Sequence, residues 1–173
     1  KKKKGGIIHC NIDKKIFNSI IKTQYNVHMD CKEFIKKLLK KIKYKKRKKW
    51  ENQINLWRKE NGFIYEPKDN IIYSQDVLIK LNKLIKIRNK DKYIFTTGVG
   101  NHQMFTAQFI DFTEPNSLIT SGSMGVMGFG LPAAMGAKLA DPDRDVACVT
   151  GEGSIQMMLQ ELSTMLQYDT PVK

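Results

Sequence analysis

Tyr93-Ile94-Phe95-Thr96-Thr97-Gly98-Val99-Gly100-Asn101-His102, the stretch from Ser117 to Gly130, and Asp145-Val146-Ala147-Cys148-Val149-Thr150-Gly151-Glu152-Gly153-Ser154 decide the fold. Each opens as a short apolar run of strand character and closes on glycines that lead into a helical pattern. Strands are expected at 93–97, 117–120 and 145–150. Helices are expected from the first glycine turn to about Phe109, from about Gly130 to Ala140, and from Ser154 to Gln167. A β-α-β-α-β-α order of this kind predicts an α/β fold, a parallel sheet with helices on both faces. In such sheets ligands sit at the carboxyl ends of the strands, where these three turns would converge.

Nearer the amino end, Ile7 to Ile12 reads as a short strand apolar enough to be buried. Asp30-Cys31-Lys32-Glu33 has capping-box spacing, and Phe34, Ile35, Leu38, Leu39 and Ile42 follow at helical intervals. Trp50, Ile54 and Trp57 mark a second short helix. Asn61-Gly62 and Pro67 to Asn70 punctuate a linker, and Ser74 is placed to cap a helix carrying Val77, Leu78, Leu81, Leu84 and Ile85. Thr170 to Lys173 reads as the opening of another strand, and the chain reads as an excerpt of something longer.

With 173 residues, 41% hydrophobic and 27% charged, the chain is long enough to bury a core and too apolar to be wholly disordered. Its +13 charge suggests a polyanion-binding protein until the halves are separated. Residues 1–92 carry 27 basic and 9 acidic side chains (+18), and residues 93–173 carry 3 and 8 (−5). The lysine cluster Lys40 to Lys49, with Tyr44 and Trp50 beside it, invites a nucleic-acid reading. A solvated helix face and linker is the plainer explanation, because similar lysines are scattered through the first half without a binding module; a nucleic-acid partner is not expected.

Cys10, Cys31 and Cys148 are an odd set without a CxxC pair, which argues against a disulfide framework or zinc site and fits buried apolar thiols in a reducing compartment. The Lys1-Lys2-Lys3-Lys4 start lacks the apolar core of a signal peptide. The uncharged stretch from Pro115 to Ala137 is 23 residues long, but five glycines and Pro132 make it turns and a helix rather than a membrane span.

Backbone N–H groups at a helix start hold phosphates, and glycine lets the backbone approach closely. Gly151-Glu152-Gly153-Ser154 adds a carboxylate suited to a magnesium ion shared with phosphate oxygens. Taken singly these features are ordinary turn chemistry; His102 reads equally well as a helix-start residue bonding local backbone, and Met124, Met127, Met157, Met158 and Met165 read as core filler, Met127 in the glycine loop excepted. Together they point to a phosphate-bearing cofactor.

The three blocks Thr97 to Phe105, Ser121 to Ala134 and Gly151 to Met157, continued by Gln160 to Thr164, resemble in order and spacing the thiamine-diphosphate enzymes. They look most like the catalytic subunits of the acetohydroxyacid (acetolactate) synthases. The resemblance is strong over roughly 93–173, and residues 7–42 are more weakly similar to the end of that family's central domain. It implies residues 1–46 as the carboxyl-terminal end of that domain, 47–72 as a basic linker, and 73–173 as the first part of the thiamine-diphosphate-binding domain. By the same resemblance Val99, Gly100, Asn101 and His102 lie by the diphosphate. Gly125, Val126 and Met127 line the aminopyrimidine, with Met127 wedging the cofactor into its bent form. Gly151, Glu152, Gly153 and Ser154 make the diphosphate–magnesium turn, with Glu152 as the metal ligand.

The activity implied is decarboxylation of pyruvate and joining of its two-carbon remainder to a second 2-ketoacid, the first common step of branched-chain amino-acid synthesis. Thiamine diphosphate and Mg2+ are the implied cofactors, and FAD is implied by the family alone. The implied partners are a second copy of the chain, whose first domain supplies an activating glutamate, and a small regulatory subunit. The expected compartment is the cytoplasm, with a plastid as the alternative. No catalytic residue is expected in this stretch. Where the family has Gln this chain has Asn101, where it has Asp this chain has Glu152, and no Asn follows Gly153, so the stretch alone is expected to be inactive. The competing expectations are another thiamine-diphosphate enzyme (a pyruvate oxidase or ketoacid decarboxylase) and a non-catalytic remnant.

Overall fold

A computed structural model of the chain describes residues 5–87 and 92–173, so the Lys1–Lys4 run lies outside the described residues. Backbone contacts divide the chain into two units, one ending at Glu60 and the other beginning at Asn61.

In the first unit, strand β1 (Ile8–Asn11) pairs in parallel with strand β2 (Tyr25–His28), from Ile8 opposite Tyr25 to Asn11 opposite His28. β2 and a 3-10 turn at Lys14–Ile16 were not apparent in the sequence, since neither has an apolar period. Asp30 caps helix α1 (Cys31–Leu39), its carboxylate accepting the Lys32 and Glu33 N–H groups at 2.9 and 3.4 Å. The Glu33 carboxylate binds Lys36 Nζ at 2.8 Å, an i,i+3 pair along the helix surface. Helix α2 (Lys48–Asn61) carries Trp50 and Trp57 edge to face at 5.6 Å, confirming the spacing of the two indoles.

The burial expected for Ile7–Ile12 does not hold: Ile8 and Ile12 are 52% and 71% exposed, and no described residue of this unit is fully buried. Two strands and the helix touching β1 provide too little surface to cover the faces of the pair. The cysteines also depart from expectation: Cys31 is exposed and Cys10 and Cys148 are half-buried, all three free. Cys10 and Cys31, distant in sequence, are neighbours within this unit. Desolvation first, then Cys31 and Asp30, pushes the Cys10 thiol pKa up.

The second unit is built on a three-stranded parallel sheet in the order β4-β3-β5, with β3 (Tyr93–Thr97) between β4 (Leu118–Thr120) and β5 (Asp145–Val149). Every residue of β3 is buried, as a strand covered on both faces requires. Tyr93 and Phe95 point to a face shared with Leu78 of helix α3 (Ser74–Ile87) and with Phe105 and Phe109 of helix α4 (Asn101–Phe109). Ile94 and Val146 point to the other face, against Ala134 and Ala137 of helix α5 (Gly130–Ala140). Helices therefore cover both faces, as the strand order implied. Ala134 has no exposed surface, and its methyl lets α5 lie close to the sheet.

Three local expectations shift. Helix α3 includes Ser74, and Asp76 binds back to the Tyr73 N–H at 3.3 Å while accepting the Tyr65 hydroxyl, so the carboxylate rather than Ser74 serves the helix start. The single helix expected over Ser154 to Gln167 is two, α6 (Glu152–Gln156) and α7 (Glu161–Gln167). Between them Met158, Glu161, Leu162 and Ser163 N–H groups bond three residues back at 3.1 Å, a tightening that sets Met157 and Met158 against Gly128. Met124 and Met157 are 83% and 54% exposed, not core filler. At the chain's end no strand forms over 170–173, but Lys173 N–H donates to Val146 O at 3.0 Å and Cys148 N–H to Lys173 O at 2.7 Å, so the last residue lies beside β5.

Phe95 is 2% exposed at the centre of this arrangement. Phe95→Ala is expected to cost ~3–5 kcal/mol, read as a lower urea midpoint at unchanged slope. A loss under about 1 kcal/mol would contradict the sandwiching of β3.

Candidate functional site

The three glycine turns leave the carboxyl ends of β3, β4 and β5 side by side, so the sheet itself brings them together. Their contacts are mutual. A Cβ placed on Gly98 would lie 2.4 Å from Ser154 Oγ and 2.8 Å from Thr150 Oγ1, so the first turn presses on the third without room for a side chain. A Cβ on Gly151 would meet the His102 ring at 3.1 Å, a second contact between the same turns. A Cβ on Gly125 would touch Val99 Cγ1 at 3.9 Å, joining first and second turns. Gly128 N–H donates to Ser154 Oγ at 3.0 Å, and a Cβ on Gly153 would meet Met127 Cε at 3.2 Å, joining second and third.

Each candidate residue from the sequence has a defined place. Val99 and Gly100 form the bend before α4, and Asn101 is its exposed first residue. With Gly100 at the cap and no side-chain cap bond, the Asn101 and His102 amides stay available for an anion, while Gln103 N–H is bonded to Gly100 O at 3.1 Å. Gly125 donates to Ser121 O at 3.1 Å and Val126 to Ser121 Oγ at 3.0 Å, which folds the glycine loop back on its own start. Val126 and Met127 remain 53% and 41% exposed, apolar groups facing outward at a site rim. Gly151 precedes α6, Glu152 opens it with its side chain exposed, and Ser154 is buried at 3% exposure.

His102 carries the clearest electrostatic signature. Burial lowers its pKa below the ordinary 6.5, while hydrogen bonding to the Gly98 backbone and the negative charge of Glu152 push the other way. Its Nε2 is buried without a hydrogen-bond partner among the described residues. With its other ring nitrogen hydrogen-bonded to the Gly98 backbone, neutral His102 presents Nε2 as an acceptor, so it donates to a phosphate oxygen only when protonated. The metal side of the site is sparser. Among the described residues there is no group of three or more His, Cys, Asp or Glu that would hold a metal alone. One carboxylate, Glu152, fits a magnesium ion only in company with phosphate oxygens and water.

A polar network at the same strand ends went unread in the sequence. Thr97 and Thr120 hydroxyls lie 2.6 Å apart, and Gln103 Nε2 donates to Thr120 Oγ1 at 2.7 Å, tying α4 to β4. Thr96 Oγ1 donates to Gly130 O at 2.8 Å and so fixes the start of α5. Adjacent threonines closing an otherwise apolar strand were the available signal. Each sits in a fully buried position, where a hydroxyl needs a partner.

Residues 98–173 match the family model described as thiamine pyrophosphate enzyme, C-terminal TPP binding domain. The chain is 42% identical over 170 residues to the acetolactate synthase large subunit of Buchnera aphidicola subsp. Schizaphis graminum, covering 96% of this chain and 29% of that protein. It is 42% identical over 173 residues to the mitochondrial acetolactate synthase catalytic subunit of Saccharomyces cerevisiae, covering 98% and 25% respectively. Against the Escherichia coli isozyme 3 large subunit the figures are 38% over 173 residues, 96% and 29%. The chain thus spans between a quarter and a third of the length of these relatives.

Because the folded state holds His102 below the ordinary 6.5, the unfolded chain binds the extra proton first as pH falls. The contribution is present above about 6.5 and is lost as pH drops through and below it. Urea midpoints of cofactor-free protein between about pH 7.5 and 5 should fall more steeply for wild type than for His102→Gln. Equal slopes would contradict a neutral, buried imidazole.

Proposed function

We propose, from the match of residues 98–173 to the thiamine pyrophosphate enzyme, C-terminal TPP binding domain model, that the chain is a stretch of an acetolactate synthase catalytic subunit. Residues 1–46 would close its central domain, 47–72 would link, and 73–173 would begin the cofactor domain. The observation that carries the reading is the contact of all three glycine turns with one another at the strand ends. Identity near 40% over almost the whole chain to named synthases supports the choice among thiamine-diphosphate enzymes.

Each turn then has one task. The α4 start, with Val99, Gly100, Asn101 and His102, receives the diphosphate; His102 Nε2 faces it as a neutral group that binding can protonate. Glu152 holds magnesium against the same oxygens, with Gly151, Gly153 and Ser154 supplying backbone close by. Gly125, Val126 and Met127 form the apolar wall for the aminopyrimidine, and Met127 is braced at its tip by Gly153. When bound, thiamine diphosphate supplies the electron sink for decarboxylating pyruvate and joining the remainder to a second 2-ketoacid. This chain's share is placement of the cofactor and exclusion of water from its apolar half, while the activating glutamate is assigned to a partner copy.

A homodimer or larger assembly, a small regulatory subunit and FAD belong to the proposal through the family, with no residue of this chain assigned to them. Free thiols suit a reducing compartment, the cytoplasm or a plastid. No helix among the described residues is long and apolar enough to cross a membrane.

The full-length protein is expected to form acetolactate from pyruvate in the presence of thiamine diphosphate and Mg2+. Acetaldehyde or acetyl phosphate as the product would instead select a decarboxylase or an oxidase. Glu152→Gln should raise the Mg2+ requirement by at least about tenfold, and Glu152→Asp should preserve it within a few-fold. An unchanged Mg2+ requirement in Glu152→Gln would remove Glu152 from the metal.

A further inference from the structure

We infer that Ser154 is a positioning residue: its hydroxyl staples the glycine loop at Gly128, so that Met127 is held in place, and does not itself bind the diphosphate. The inference deepens the reading above and rests on it. The Ser154 side chain is 3% exposed and lies inside the junction of the turns rather than on its open side. Its Oγ accepts the Gly128 N–H at 3.0 Å, a buried bond between positions 26 apart in sequence. The same oxygen stands 2.4 Å from where a Gly98 Cβ would lie, so the first turn closes over it. One oxygen atom thus meets all three turns, and a diphosphate oxygen at the same place would have to displace either Gly98 or Gly128.

Gly128 needs this anchor. Its φ of +85° and the 2.9 Å separation between its Cβ position and Met158 Cγ admit only glycine, which has the greatest conformational freedom to lose. The loop's other restraints, Gly125 and Val126 N–H to Ser121, lie within its own exposed stretch, since Gly122 to Met127 are all exposed; the bond at Gly128 alone is buried and ties the loop to another turn. Met127 is the next residue back, and its tip reaches Gly153 of the third turn. Held at Gly128, the methionine has one orientation across the site; released, it loses the geometry by which it would press on the aminopyrimidine.

A diphosphate ligand and a loop staple differ in which part of the cofactor they affect. In the full-length protein, Ser154→Ala is expected to weaken thiamine diphosphate binding by about tenfold, since a buried donor is left unpaired. Inorganic diphosphate, which has no aminopyrimidine, should bind within about twofold of wild type. Met127→Ala should show the same split, and the double variant should lose little beyond either single change, because both act on one element. In cofactor-free wild type the Gly128 amide should exchange slowly with solvent while the amides of 122–124 exchange fast, a reading that does not depend on how Ser154→Ala folds. Equal weakening of both ligands would make Ser154 a diphosphate ligand and overturn the inference. So would unaltered binding of both ligands, or fast exchange at Gly128. Wild-type protein that binds inorganic diphosphate but not thiamine diphosphate would overturn the reading beneath it instead.

Discussion

The site depends on the absence of a side chain at Gly98. This residue ends a fully buried strand, and within a few ångströms it meets Ser154, Thr150 and the start of α5. A Cβ on Gly130 would lie 2.6 Å from Gly98 N, so the helix covering one face of the sheet begins directly on that backbone. The rest follows from this close approach. The third turn can sit against the first only because nothing projects between them, and the second is then drawn down onto Ser154. The starts of α4 and α6, with the His102 imidazole and the Glu152 carboxylate they carry, are thereby brought close together.

The division of labour between strands and turns also follows from the burial pattern. β3 contributes alternate residues to two apolar layers, Tyr93 and Phe95 to one and Ile94 to the other, until Thr96 and Thr97 switch the strand to polar contacts. That switch marks where core ends and site begins. The rigid layers below give the turns a fixed base, and the loop from Gly122 to Met127 stays exposed above it.

Much of this was legible in the sequence because the second unit obeys period-two strands and glycine-punctuated turns. Tyr93–Thr97 and Gly130–Ala140 fall at the bounds their patterns suggest. What the sequence did not disclose has physical reasons. The break between α6 and α7 contains neither glycine nor proline, and Met157 and Met158 within it lie against Gly128, a contact that local sequence does not encode. The Gln103–Thr120 bond joins a helix residue and a strand residue that only the sheet order brings together. β2 and the exposure of β1 were missed because apolar strand character alone does not state whether partners cover it. Among site residues, Ser154 was expected at the diphosphate by its place in the turn. Its side-chain bond to Gly128 depends on a contact between distant segments, which spacing does not encode.

The charge asymmetry gains a structural setting as well. The basic cluster at 40–49 is exposed throughout and runs from the end of α1 into α2, within the unit that ends at Glu60. The three turns belong to the acidic half, where three basic residues stand among 81. On the proposed reading, an anionic cofactor there would be held by backbone amides, the imidazole and a metal at Glu152. If the three turns form one cofactor site, amide hydrogen exchange of the full-length protein with and without thiamine diphosphate and Mg2+ will show it. Cofactor should slow exchange together at 98–103, 125–128 and 151–155. Protection confined to one of these segments, or absent from all three, would contradict it.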